Sequence, residues 1–573
     1  MAWRTRCSEL AALSTAALST LLLLALPYGA HGEDATTVQV TVHADAPMGA
    51  FTPIWSYFGA DEPNYIYGRH GRKLLDELGE LRHTADAPVF FRAHNLFTTG
   101  NGEGSLKWGS TNVYTERADG TPVYDWTITD RIFDAMRDAG VRPIVELGFM
   151  PEAMSTHPEP YRHNFPKGDI FTGWSYPPKD YAKWGALVEA YATHLKNRYG
   201  DAVDGWLWEV WNEPDIGYWH GTPEEYDQLY DVSAAAVRKV LPRAKIGGPD
   251  STGVYPAKNG VSTSEAFLRQ FLEHCAKGKN AATGGTGAPL DFISFHPKGS
   301  PKFLNGHVVM NVGQQLAAVE RGMEVVASYP QWGNTPIVLG ESDPEGCAAC
   351  QGAQNGYRNG PLYGVSVAEA TARTWELARE HGVHVQGAVT WAFTFEDQPY
   401  FAGFRELATN GVDKAVLNVF RMLAMLGGDW VRTESTGEIP LQRIVTNSVT
   451  DAPDVDAIAT RRSREIDVLL WNYHDADVPA APARVAMEVR GVPRSRITEE
   501  VFLMDAAHSN AYAVWQRIGS PQKPSAAQQQ HLIQAGKLER VVAPRALTVK
   551  DGDARVEMPL ARQGVALVRL RWQ

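Results

Sequence analysis

Apolar residues in this chain gather into short runs, and the stretches between them carry a helical period. Between positions 53 and 428 the runs are Ile54–Phe58, Val89–Arg92, Pro143–Leu147, Trp206–Trp211, Lys245–Gly247, Phe292–Phe295, Ile337–Leu339 and Gly387–Trp391. Short, nearly continuous apolar runs are what parallel strands covered on both faces look like. Amphipathic stretches such as Thr129–Ala139, Tyr181–Tyr199, Pro223–Val240 and Val365–His381 lie between them. Eight runs alternating with helices predict an α/β fold, a (β/α)8 TIM barrel over 53–428. The span exceeds a minimal barrel, so long loops are expected where strands lead into helices.

Beyond about Trp430 the period changes from helical to twofold. Ile466–Asn472, Val485–Arg490, Glu499–Met504, Arg555–Leu560 and Val565–Leu570 read as strands, with a helix at Ala526–Ala535. Residues 429–573 are therefore expected to form an appended β-sandwich. Val38, Val40 and Val42 share one face of a strand in the segment 33–52, which is expected to join that sandwich. Residues 1–32 read as a secretory signal: Arg4 and Arg6 precede an apolar stretch from Leu10 to Leu26, and Ala30-His31-Gly32 has the small-x-small pattern of a cleavage site. The expectation is an exported protein, periplasmic or secreted, with no membrane partner once the signal is removed, because no later run reaches membrane-spanning length.

Composition adds two constraints. The 573 residues are 44% hydrophobic, enough to build more than one core. The formal net charge is −12 with no Lys/Arg stripe, which argues against a nucleic-acid partner. Of the four cysteines, Cys7 would leave with the signal. Cys347 and Cys350 could close a small disulfide loop or remain thiols, and Cys275 has no obvious partner. No His/Cys/Asp/Glu set has metal-ligand spacing, so neither a metal nor a cofactor is expected.

Two glutamates carry the chemistry. Trp208-Glu209-Val210-Trp211-Asn212-Glu213-Pro214-Asp215 closes the fourth predicted strand, and Pro214 stops it because proline cannot donate to the ladder. Pro336-Ile337-Val338-Leu339-Gly340-Glu341 closes the seventh. Either carboxylate alone could be an ordinary strand-end group. Together they face each other across the mouth of a barrel, where catalytic side chains gather. Cleavage of a glycosidic bond with retention needs such a pair: one carboxylate attacks the anomeric carbon, and the other protonates the leaving oxygen and later activates water.

These segments resemble glycoside hydrolase family 39, which contains β-xylosidases and α-L-iduronidases. The resemblance rests on Arg92-Ala93-His94, Glu146-Leu147-Gly148-Phe149-Met150-Pro151, Trp211-Asn212-Glu213-Pro214, Glu341, Trp391-Ala392-Phe393-Thr394-Phe395-Glu396, Gly403-Phe404-Arg405 and His508-Ser509-Asn510-Ala511-Tyr512. It implies Glu213 as acid/base and Glu341 as nucleophile of a retaining exo-glycosidase. It also implies His94, Asn212, His296, Lys298, Trp391 and Glu396 as groups meeting an oligosaccharide or glycoside substrate. Lys298, two residues after His296, stands where some β-xylosidases of the family have an aromatic, and it resembles the iduronidase members. A cation there would favour the C5 carboxylate of an α-L-iduronide, unless it pairs with Asp343 or Glu345. The expected activity is β-D-xylosidase, with α-L-iduronidase-like or α-L-arabinosidase action as alternatives. A non-catalytic carbohydrate-binding barrel is the distant one, since such a protein would be expected to lack one of the two carboxylates.

Overall fold

The computed structural model describes residues 37–163, 170–257, 260–493 and 496–572. The signal reading of residues 1–32 lies outside the described residues. Among the described residues, four two-stranded hairpins stand apart from the barrel and the large sheet.

Strand β1 (Thr37–Ala50) precedes eight parallel strands that close into a barrel: β2 (Tyr57–Ala60), β3 (Phe90–Ala93), β4 (Arg142–Leu147), β5 (Leu207–Val210), β6 (Lys245–Thr252), β7 (Phe292–His296), β8 (Ile337–Leu339) and β9 (Val385–Thr390). β9 returns to pair with β2. All eight predicted runs fall on these strands. The predicted helices appear at Thr127–Ala139, Tyr181–Tyr199, Pro223–Val240 and Pro361–His381.

Alternation along the strands sorts the barrel interior into layers. Tyr57, Phe90, Ile144, Leu207, Phe292, Val338 and Val389 form one apolar layer. Two residues further along the strands stand Arg92, Glu146, Glu209 and Trp391, all buried. Thus the barrel is apolar at its base and charged towards its C-terminal mouth. Two glycines make room for this second layer. A Cβ at Gly59 would lie 2.2 Å from the Trp391 ring, and one at Gly340 would lie 2.1 Å from Asp250.

The remaining strands are β10 (Asp429–Ser435), β11 (Asp454–Arg462), β12 (Glu465–Tyr473), β13 (Ala483–Arg490), β14 (Ile497–Met504), β15 (Glu539–Leu547), β16 (Val549–Lys550), β17 (Asp553–Leu560) and β18 (Gly564–Trp572). With β1 they make one largely antiparallel sheet in the order β15-β14-β18-β12-β11-β10-β1-β13-β17-β16. The sheet curls over itself, because Val40 and Val489 from one arm share a core with Val468 and Val501 from the other. The sandwich is therefore one continuous hydrogen-bonded sheet, with β1 antiparallel to β10 and parallel to β13.

Candidate active site

The two glutamates follow β5 and β8 at the C-terminal mouth. Trp211 (φ 71°), Glu213 (φ 46°) and Asp250 (φ 55°) adopt left-handed backbone, which costs a non-glycine residue about 1–3 kcal/mol. Hydrogen bonds hold the turn: the Glu213 N–H donates to the Asp250 carbonyl at 2.9 Å, and the Trp211 N–H to Leu147 at 3.1 Å. Carboxylate oxygens of Glu213 and Glu341 and a ring nitrogen of His296 lie within 4.8 Å of one another. The Glu213 side chain is 15% exposed and that of Glu341 6%.

His296 ends β7 and bridges the site. Its Nδ1 lies 3.0 Å from Glu213 and 3.7 Å from Glu341, and its Nε2 lies 2.9 Å from Asp250. Burial opposes a charged ring, but Asp250 and Glu341 outweigh it and push the imidazole up to about 10.

Glu341 collects cations. Lys298 Nζ sits 2.7 Å from it and Arg92 donates at 3.3 Å, while the uncharged His94 ring has its Nε2 at 3.6 Å. Burial would raise its carboxyl, yet Lys298, His296 and Arg92 together hold it well below the usual carboxylate range. Beneath it, Arg92 is fully buried and also pairs with Glu146 at 2.7 Å, Glu209 and Asp250. Burial, with the crowding of neighbouring carboxylates, pushes Glu146 well up and Glu209 to about 8.

The other residues singled out from the sequence divide. Asn212 is buried beside Glu213, and its Oδ1 accepts from Arg92 at 3.1 Å. His94 meets Glu146 at 3.0 Å and the Trp391 ring at 4.4 Å; burial and then Arg92 drive its pKa well down, leaving it neutral. The Trp391 indole N–H donates to Asp61. Lys298 is brought to the centre, and Asp343 also holds it, at 2.6 Å. Glu396 is engaged by backbone donors. Its Oε1 accepts from the N–H groups of His70 at 2.7 Å and Gly71 at 2.8 Å, capping the helix Arg69–Ala85, because that helix starts with bare N–H donors facing the loop.

Four functional neighbours were not singled out. Asp61 pairs with buried Lys107 at 2.8 Å, and Lys107 lies over the Trp108 ring. Asp250 anchors His296. Asp343 accepts from the Trp391 N–H at 3.0 Å as well as from Lys298. Continuing the inward alternation past the run Ile54–Phe58 reaches Asp61, and that was the available signal; Asp250 stands off the alternation, at a register shift between Pro249 and Ser251. A second wall is built on the loop after β8. Cys347 and Cys350 form a disulfide, and the Arg358 guanidinium donates to both of their carbonyls, each at 2.7 Å. Three acid or acid–imidazole groups lie close enough to hold a cation: Asp61–His94–Glu341, Glu213–His296–Glu341 and Glu146–Glu209–Asp250. Lys107, Lys298 and Arg92 already supply positive charge to them.

Comparison with known proteins places the chain in a family. The family model described as Glycosyl hydrolases family 39 matches residues 82–554. A β-xylosidase of Caldicellulosiruptor saccharolyticus is 28% identical over 447 residues, covering 74% of this chain and 78% of its own. An α-L-iduronidase of Mus musculus is 26% identical over 377 residues, covering 60% and 55%. Among solved structures, a monomeric β-xylosidase from Caulobacter crescentus superposes with a TM-score of 0.72 at 20% identity, covering 94% of this chain and 99% of that one, a likeness of fold.

Proposed function

This chain belongs to glycosyl hydrolases family 39, and we propose that within it the protein is a retaining exo-β-D-xylosidase. One observation carries the retaining reading: carboxylate oxygens of Glu213 and Glu341 lie within 4.8 Å of one another, close to the ~5–5.5 Å of double displacement and short of the ~6.5–9.5 Å that inversion needs for a water. Glu341, ionised by its cations, attacks the anomeric carbon. Glu213, the more exposed of the two, gives a proton to the departing oxygen. A glycosyl–Glu341 ester forms; Glu213 then takes a proton from water, the water oxygen bonds to the anomeric carbon, and Glu341 leaves. With Oδ1 of Asn212 held by Arg92, its amide nitrogen is the donor for the 2-hydroxyl, a contact that strengthens in the transition state. Neutral His94, against the Trp391 ring, serves a second sugar hydroxyl.

The charge balance supports a neutral sugar. Lys298 is bound by Glu341 and Asp343, Lys107 by Asp61, and Arg92 by four carboxylates. A uronide carboxylate would have to compete with these pairs. The family relationship with iduronidases keeps the uronide as the alternative to test. The test compares kcat/KM on an aryl β-D-xyloside and an aryl α-L-iduronide, using protein from Glu33 onward, with the anomer first released read by NMR. Preference for the xyloside with β-xylose released first is the expected result. Preference for the iduronide would make Lys298 a reader of the sugar carboxylate, and α-xylose released first would end the retaining assignment. We also propose export, which the Cys347–Cys350 disulfide supports by suiting an oxidising compartment. An N-terminus other than about Glu33 on protein recovered from outside the cytoplasm would count against that cleavage site.

A further inference from the structure

The His296 ring is fully buried and set among acids on both sides. Nδ1 lies 3.0 Å from Glu213 and 3.7 Å from Glu341, and Nε2 lies 2.9 Å from Asp250. A neutral imidazole has one N–H and serves one side only; a ring between acids on both sides is satisfied when both nitrogens carry protons. The other charged groups around it do not compete for that place. Glu209 on β5 adds a further acid at longer range, Arg92 on β3 is paired with Asp250 and Lys298 with Glu341, and the His94 ring is uncharged.

Asp250 fixes this ring and Glu213 together. Its side chain pairs with Nε2 of His296, its carbonyl accepts from the Glu213 N–H at 2.9 Å, and its own N–H donates to the Ser294 hydroxyl at 3.1 Å. Gly340 lets the pair meet, since a Cβ there would lie 2.1 Å from Asp250 and 2.8 Å from His296. The ring and the acid are thus held on one residue, with the Nδ1 to Glu213 contact at hydrogen-bond length. Such a contact between an imidazole and a carboxyl group keeps one proton that either side can carry.

We propose that the proton delivered to the leaving oxygen is stored on His296 and passes through Glu213, with Asp250 as the positioning residue of this relay. In the first half-reaction the proton leaves Nδ1 for Glu213. Glu213 gives it to the glycosidic oxygen, which takes the electron pair of the breaking C–O bond as Glu341 bonds to the anomeric carbon. The ring is then neutral and Glu213 a carboxylate. In the second half-reaction Glu213 takes a proton from water, the water oxygen bonds to the anomeric carbon, and the Glu341 ester bond breaks. The proton returns to Nδ1 and the resting pair is restored. The inference rests on Glu213 being the acid of a retaining glycosidase; it does not depend on which sugar fills the pocket.

Profiles of kcat/KM against pH test it, on methyl β-D-xyloside, whose leaving group needs a proton, and on dinitrophenyl β-D-xyloside, whose leaving group needs little. In His296→Gln the proton rests on Glu213 alone, and a carboxyl group gives its proton up at lower pH than an imidazolium does. On the methyl xyloside the basic limb should move down by at least about one pH unit; on the dinitrophenyl xyloside it should stay. Asp250→Asn makes the same test with the ring in place. Arg92 donates to one Asp250 oxygen, so the amide keeps its oxygen there and turns its NH2 towards Nε2. Nε2 must then accept, the ring is left neutral, and the basic limb should move down as well. Asp250→Asn decides the matter if His296→Gln does not fold. An unmoved basic limb, or one that moves equally on both substrates, overturns the relay. If Glu213→Ala loses activity equally on both substrates, the acid reading has failed and the relay falls with it; a fixed limb beside a Glu213→Ala loss confined to the methyl xyloside overturns the relay alone. Where another glycoside is cleaved and xylosides are not, the methyl and dinitrophenyl glycosides of that sugar take their place.

Discussion

Lys298 touches two carboxylates, and removing it changes the ionisation of Glu341 more than the pocket wall. With Lys298 at 2.7 Å, Glu341 stays ionised well below ordinary carboxylate pH. In Lys298→Met the upward push of burial meets less opposition. Because Glu341, as the proposed nucleophile, would attack only when ionised, activity should then fail at higher pH than in the parent. The acid limb of kcat/KM should move up by roughly one unit or more, and a pH–rate profile checks it; an unmoved limb would mean that His296 and Arg92 suffice. Glu213 is tested by leaving group. Glu213→Ala should slow cleavage of methyl xyloside by about 10²–10⁴-fold while sparing a dinitrophenyl xyloside in its first step, since that leaving group needs little proton donation. Equal losses on both would remove the acid role. At this scale much of the site was legible: Glu213, Glu341, His94, Asn212, His296 and Lys298 follow strand ends in recognisable local sequence. Asp61, Lys107, Asp250 and Asp343 were not. They serve as partners to other side chains, and no spacing along the chain announces who their partners are.

Elements were legible where burial imposes a period and illegible where it does not. All eight barrel strands were found because both faces are covered and the runs are apolar. β15 was missed: its residues are largely exposed, it contains Pro544, and it lies at the sheet edge, where neither alternation nor a full ladder is required. β11 was missed because its non-core face carries Asp454 and Asp456, acids held by a distant arginine. Glu396, expected from the resemblance to meet the sugar, is held in the structure as a helix cap. As a cap for the helix Arg69–Ala85, its loss should cost about 1 kcal/mol and lower the Tm by about 1–2 °C. Glu396→Ala should leave kcat/KM on an aryl xyloside near the parent value. A large fall in kcat/KM at unchanged Tm would return Glu396 to the substrate.

At the scale of the molecule, the barrel and the sheet are joined through charge as well as apolar packing. Arg373, on the helix Pro361–His381 behind the barrel, reaches Asp454 at 2.7 Å and Asp456 at 3.2 Å on β11, and Glu369 at 3.2 Å on its own helix. Burial outweighs Arg373 at Asp456 and raises it to about 8; burial, with the nearby Asp454, raises Glu369 well above its ordinary range. Truncating one partner of such a buried cluster leaves uncompensated acids, at about 3–5 kcal/mol. Arg373→Met should therefore lower the Tm throughout. The loss should also grow with pH. A carboxylate whose folded pKa lies above its unfolded one carries its proton at low pH, and as pH rises from the unfolded value through the folded one the folded state loses stability relative to the unfolded chain. In the parent, Arg373 limits that loss; in the variant nothing cationic in the cluster does, so the Tm gap between the two should be smaller near pH 5 and widest near pH 8. Melting both proteins across that range decides it, and a gap that stays constant would mean that the cluster remains protonated and that the domains are held by apolar packing alone.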